Sequence, residues 1–317
     1  MSICNPNTIF KGVNNIGDDF LLNILESNFK MYFDWALLNI GSWFDVQIDD
    51  QTVYGVNSHS QLLPTYDPSY NDGQVWQGIR KDWVWEQNVI YKDNSPIQIS
   101  SVLVDSQVVP KASYFNIDYP LGRVIFHQPV NITSIVKASY SYKFVQVYRA
   151  SDSPWFNIIQ YSSYNTSNED IKQMDNGEWA IGANHRIQLP TIIIESLPRS
   201  RSMPYELGSD NLILEQDIGF YVLAENKNDR NKLLDIIRLQ QDSVIYLFNT
   251  NKLSQDDNYP LNYYGDIKDG ALMYPNIVDQ YKWRKCWIKN INLFEIDSPN
   301  PNFHRGMARA TLEIISD

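Results

Sequence analysis

Four histidines, His59, His127, His185 and His304, are the side chains best suited to ligate a transition metal or move a proton near neutral pH. They are isolated along the chain, and none belongs to an H-E-x-x-H pattern, the spacing that puts two imidazoles on one helix face around zinc. Nucleophilic and phosphate chemistry also lack their local devices. There is no G-x-S-x-G elbow, no glycine-rich loop ending in Gly-Lys-Ser/Thr, and no G-x-G-x-x-G. Carboxylate pairs occur at Asp49-Asp50, Glu169-Asp170 and Asp256-Asp257, and glycoside hydrolysis needs two carboxyl groups about 5–9.5 Å apart. Neighbouring residues of a strand or loop point apart, however, and with 37 acids such pairs arise by chance, so they read as solvated surface. Residues 67–73, DPSYNDG, alternate oxygen ligands like a calcium loop but lack the closing Glu, and read as a turn built on Asn-Asp-Gly. The expectation is a protein that is not an enzyme and uses no metal or cofactor.

Binding chemistry is better represented. Residues 74–86, QVWQGIRKDWVWE, crowd Trp76, Trp83 and Trp85 together. Indoles bury about 150–250 Å² each, so they read first as the staple of a β-rich core. Exposed instead, they would form, with Trp155, a stacking platform for sugar rings. The segment YKWRKCWIK gathers Lys282, Arg284, Lys285 and Lys289; on a regular strand Lys282 and Arg284 share one face, and Trp283, Lys285 and Trp287 the other. With 26 basic against 37 acidic residues, a net charge of −11, the chain repels phosphate, and sequence-specific nucleic-acid binding is not expected. The basic segment is read as a lysine-protected edge strand or an intersubunit salt-bridge strip. Two cysteines, Cys4 and Cys286, suggest no disulfide framework and fit a reducing compartment. The first residues lack the charged start and apolar run of a secretory signal.

The elements that must position these residues follow from periodicity. Residues 18–40 set Leu22, Leu25, Phe29, Phe33, Ala36 and Ile40 at helical spacing, with Asp18 or Asp19 available as cap and Gly41 at the end. Glu26, Lys30 and Asp34 would each cost about 2.5–3.5 kcal/mol at a bilayer centre, so this helix faces protein and not lipid. A second flank of Leu21, Ile24, Met31, Trp35 and Leu38 predicts packing on two sides, within the chain or against a neighbouring subunit. From residue 43 to 163, short apolar runs between turns predict an antiparallel β-sandwich or barrel-like domain, with a reversal at Asp118-Tyr-Pro-Leu-Gly122. Residues 138, 140, 142 and 144 alternate as the inward face of a strand. Residues 164–317 read as an α+β domain: an extended run at 187–195, a polar arm at 196–210 carrying Arg199, Arg201 and Tyr205, a strand, helix and strand over 217–248, and closing strands at 280–295 and 307–315. Residues 1–42 form the N-terminal segment, and the whole is α+β and β-rich.

Three stretches carry a family resemblance: FNIDYPLGRVIF at 115–126 with Pro129-Val130 and residues 136–142; FYVLAENKNDR at 220–230 with residues 233–237; and ARATLEII at 308–315. Together they resemble virion structural proteins of tailed bacteriophages, of the neck or tail-terminator (tail-completion) type. The resemblance implies a homo-oligomeric ring, commonly sixfold, at the head-to-tail junction of a contractile-tailed phage. Such a ring joins the connector or adaptor to the tail tube and sheath and leaves a passage for genome DNA. It implies a virion protein assembled in the host cytoplasm. The contact elements expected are the helix with Phe29, Phe33 and Ile40, the arm with Arg199, Arg201 and Tyr205, and the basic strand with Lys282 and Arg284. The β-region is large for a minimal tail terminator, so the other role open to such a protein is a baseplate or receptor- or carbohydrate-binding component.

Overall fold

A computed structural model describes residues 15–49, 53–54, 57–161, 171–174, 177–182, 185–205 and 212–316. The helix expected near the N-terminus spans Leu21–Asn39. No carboxylate caps it: Phe20 holds the cap position, and the Asp19 amide donates to the Asn251 side chain at 2.6 Å. It ends as expected at Gly41, whose φ of +86° favours glycine, and a Cβ there would meet the Tyr91 ring at 2.5 Å. Both flanks pack inside the chain. Leu25, Phe29, Phe33 and Leu37 enter one core, while Met31, Tyr32 and Trp35 lie against a second.

The first core lies on a six-stranded sheet with spatial order Gln146–Arg149, Thr191–Pro204, Leu212–Ala224, Phe303–Ser316, Lys282–Asn300 and Val244–Phe248. Only the first pair is parallel. The N-terminal helix and a second helix, Lys227–Arg238, cover one face, and Phe220 meets Phe29 and Phe33 at ring distances of 5.7 and 5.0 Å. Asn226 caps that second helix by accepting the Asp229 amide at 2.8 Å. On the opposite face, helix Trp155–Tyr161 and three short strands cover one end, with Phe156 against Tyr221 and Trp179 against Phe303.

The second core fills a curled sheet of seven short strands, from Gln107–Pro110 at one edge to Phe115–Asp118 at the other. Trp83 stacks on Tyr140 at 4.4 Å, with Trp76, Phe115 and Phe126 around them. The chain is thus α+β and strand-rich, with curled antiparallel sheets behind an N-terminal helix. The cores do not follow the divisions expected at residues 42 and 163. Gln146–Arg149 belongs to the large sheet, and Met273, Tyr274, Ile277, Val278 and Tyr281 return to complete the curled one. Among the described residues no helix is long and apolar enough to cross a membrane.

Where helix and curled sheet meet, Lys143 is buried among three carboxylates. Its Nζ lies 2.7 Å from Glu86, 3.3 Å from Asp34 and 3.8 Å from Asp82, and 5.4 Å from the Trp85 ring centre. Regular alternation would put Tyr142 and Phe144 inside. Instead Tyr140 and Ser141 are both buried, which reverses the phase, so Lys143 points inward and Phe144 outward. One ammonium cannot neutralise three carboxylates. Burial pushes the Asp82 carboxyl up to about 7 against the pull of Lys143 and Lys30, with Asp34 and Glu86 adding to the rise, and burial raises Glu86 as well.

A carboxyl whose pKa is higher in the folded state than in the unfolded chain weakens folding as pH rises between the two values. Thermal unfolding is therefore expected to show stability falling from about pH 4 to about pH 7 through Asp82. Asp82→Asn, compatible with the left-handed φ of 53° at this position, should flatten that dependence; an unchanged pH profile would contradict it. Lys143→Met leaves three buried acids without their cation and should cost about 3–5 kcal/mol in urea unfolding.

Candidate assembly surface

Residues 196–204, expected as a polar loop, instead form the second half of a strand paired within the large sheet. Thr191–Pro204 is 14 residues long, yet its outer neighbour pairs with it only as far as Ile194. Beyond that point no strand among the described residues pairs with its outer side, and its inner side is braced by Leu212–Ala224, itself paired to Phe303–Ser316 as far as Ser316. A bulge between Ser196 and Ser200 contains Pro198, whose missing amide suits an unpaired position. The root is fixed to the N-terminal helix: Glu26 accepts the Ser196 amide at 2.8 Å, and the Ser196 hydroxyl donates to the Leu22 carbonyl at 3.0 Å. Burial raises the Glu26 carboxyl, which the Ser196 amide and Arg149 oppose.

A buried carboxylate holds the base of the arm. Asp217 accepts from Arg309 Nε at 2.9 Å and Nη2, and from Thr311 Oγ1 at 2.8 Å, while Arg199 reaches to 3.6 Å. The Arg199 side chain remains 70% exposed. Arg201 lies across from Glu215, whose carboxylate is taken by Lys289 at 3.0 Å, and Tyr205 is exposed at the arm's end. Residues 206–210 of the arm lie outside the described residues. The structure therefore brings Arg199, Arg201 and Tyr205 to the second half of one strand and its end, with Arg201 in register with Glu215, Glu313, Trp287 and Val244 across the sheet.

The basic strand is placed differently from the expectation. Val244–Phe248 is the edge, and Lys282–Asn300 lies one strand inside it. Trp283 is skipped in the pairing: Phe248 opposes Lys282 and Leu247 opposes Arg284. This bulge shifts the side-chain phase, so Lys282 shares a face with Lys285, both over the Tyr246 ring at 3.6 and 5.6 Å. Arg284 turns to the face of Leu247, with its guanidinium 4.2 Å from the Trp283 ring. Lys289 is held within the chain, between Glu215 and Glu313.

Of the helix residues expected at a subunit contact, Phe29 and Phe33 are buried in the chain's own core and are not presented to a partner, because the large sheet takes that helix face. Ile40 is exposed, next in the chain to an aromatic group in which Phe44 contacts Tyr142 and Phe144 at 5.7 and 5.4 Å. Trp76, Trp83, Trp85 and Trp155 are all buried, so none offers a face to a sugar. A concavity of about 290 Å³ lies among Asp19, Lys30, Arg149, Asp152, Thr250 and Tyr259; Arg149 is committed there to Asp152 at 2.7 and 2.9 Å. Among the described residues no group of three His, Cys, Asp or Glu side chains is placed to hold a metal ion. Asp50, Glu169 and Asp170 lie outside the described residues.

Truncating Asp217→Ala removes a buried carboxylate that accepts from Arg309 and Thr311 and should cost about 1.5–3 kcal/mol, whereas Arg201→Ala on the exposed arm should stay within about 0.5 kcal/mol. Urea unfolding of both variants checks this, and equal midpoints would contradict the anchoring role of Asp217.

In comparisons with known proteins, no protein-family model matches this chain and no curated protein is significantly similar to it.

Proposed function

We propose that the chain is a structural subunit of a tailed-phage virion, acting at the head-to-tail junction as a neck or tail-terminator ring. The observation that carries this reading is the arm: a cationic edge segment of an otherwise acidic chain, held at its root through the buried Asp217 carboxylate and paired on its outer side by no strand among the described residues. Such an element has a use when another surface receives it. Self-association through unlike surfaces closes a ring when the rotation permits, and six copies is the number expected from the resemblance. The connector or adaptor on one side and the tail tube and sheath on the other are the neighbouring partners. An acidic lumen would repel the DNA phosphates that pass through it. No catalytic step enters this role.

The burial of Trp76, Trp83, Trp85 and Trp155 removes the residues on which a carbohydrate-binding role would have rested. Native mass measurement of the purified protein is expected to give one closed oligomer of 36.9 kDa subunits, and gold labelling of intact particles to mark the neck. A monomer at micromolar concentration, or particles without the protein, would contradict the proposal.

A further inference from the structure

The arm needs a receiving surface, and its composition limits what kind. Its outer edge, paired beyond Ile194 by no strand among the described residues, carries Pro198 and Pro204, which lack amide donors, and Arg199 and Arg201, whose charges oppose an added strand. Contact through side chains remains, and guanidinium groups favour carboxylates approached in plane and aromatic rings approached on the face.

One described surface combines both. Tyr263 and Tyr264 project from the loop that crosses the end of the curled sheet, 97% and 44% exposed, with ring centres 5.6 Å apart. Tyr70, Asp67 and Asp118 lie close enough to act on one another electrostatically. The surface is preformed: Gly265 accepts the Tyr119 amide at 3.2 Å, Asn262 accepts the Tyr264 amide at 2.9 Å, and buried Asp266 accepts the Ile117 amide at 3.0 Å. Its negative character shows in the Tyr70 phenol, raised first by partial burial and then by Asp67, with Asp118 contributing. Two cations are paired there, Arg123 with Asp67 at 3.2 Å and Lys111 with Asp266 at 2.5 Å, while Asp118 accepts the Leu121 amide at 3.1 Å and has no ion pair within 4 Å among the described residues. The concavity beside Tyr259 is a poorer acceptor, since Lys30 and Arg149 already balance Asp19 and Asp152.

We infer that the arm of one copy docks Arg199 and Arg201 onto the patch of Asp67, Tyr70, Asp118, Tyr263 and Tyr264 on a second copy. This rests on the assembly reading above and supplies its interface. Arm and patch belong to different cores, so the contact is between unlike surfaces and propagates around a ring.

The test uses the full-length chain with Cys4→Ser, carrying Arg201→Cys and Tyr263→Cys together, and a short bismaleimide. A ladder of covalent multimers in denaturing gels is expected, abolished when either new cysteine is omitted or when Arg199→Glu is added. A ladder obtained instead with Arg201→Cys and Tyr259→Cys, or none in a preparation whose mass is oligomeric, overturns the docking while leaving the assembly reading in place. A monomeric mass for the unmodified protein overturns both.

Discussion

Lys143 and the three carboxylates around it are the constraint on which the rest of the structure depends. Asp34 comes from the N-terminal helix, Asp82 and Glu86 from the loop after strand Val75–Gln77, and Lys143 from the strand that leads out of the curled sheet. A buried ion group of this kind adds little net stability, because desolvation offsets the Coulomb attraction. Its effect is geometric: a single ammonium can meet Glu86 and Asp34 together only with helix, loop and strand in one arrangement. From there the chain passes through Val145 into Gln146–Arg149, so the cluster fixes where the large sheet starts relative to the curled one.

The N-terminal helix turns that local constraint into a global one. Phe29 and Phe33 pack on Phe220 in the large sheet, Met31 and Trp35 face the curled sheet, and Glu26 takes the amide at the root of the arm. The arm is therefore continuous with a rigid body, and its direction is set by the same helix that joins the two cores. An element fixed in this way reaches a partner with little loss of conformational freedom, which favours association. The large sheet's uncovered face carries internal ion pairs, Lys289 with Glu215 and Glu313 and Asp217 with Arg309, beside exposed Trp287 and Phe294. The arm, the tyrosine patch and the Phe44–Phe144 group are further surfaces with unfilled capacity.

Much of the architecture was legible from residue spacing. The helical period over residues 18–40 located Leu21–Asn39, Gly41 marked its end, and the turn at residues 118–122 was read from Pro120 and Gly122, the latter with φ of +63°. Local irregularities were not legible. The phase reversal at Tyr140 and Ser141 brought Lys143 inside, and the bulge at Trp283 put Lys282 and Arg284 on opposite faces. Period-two patterns carry no mark of a skipped residue, because the skip is fixed by pairing with a distant strand. For the same reason the apolar stripe of the helix did not distinguish a partner subunit from the chain's own sheet. The tyrosine patch escaped notice because Tyr70 and Tyr263 are distant in sequence and meet only through the curled sheet and the loop lying against it.

A three-dimensional reconstruction of the purified protein by electron microscopy tests the central claim most directly. A closed ring in which each arm lies across the curled sheet of the next subunit is expected. An arm projecting freely from an isolated subunit, or two arms paired with each other about a twofold axis, would contradict it.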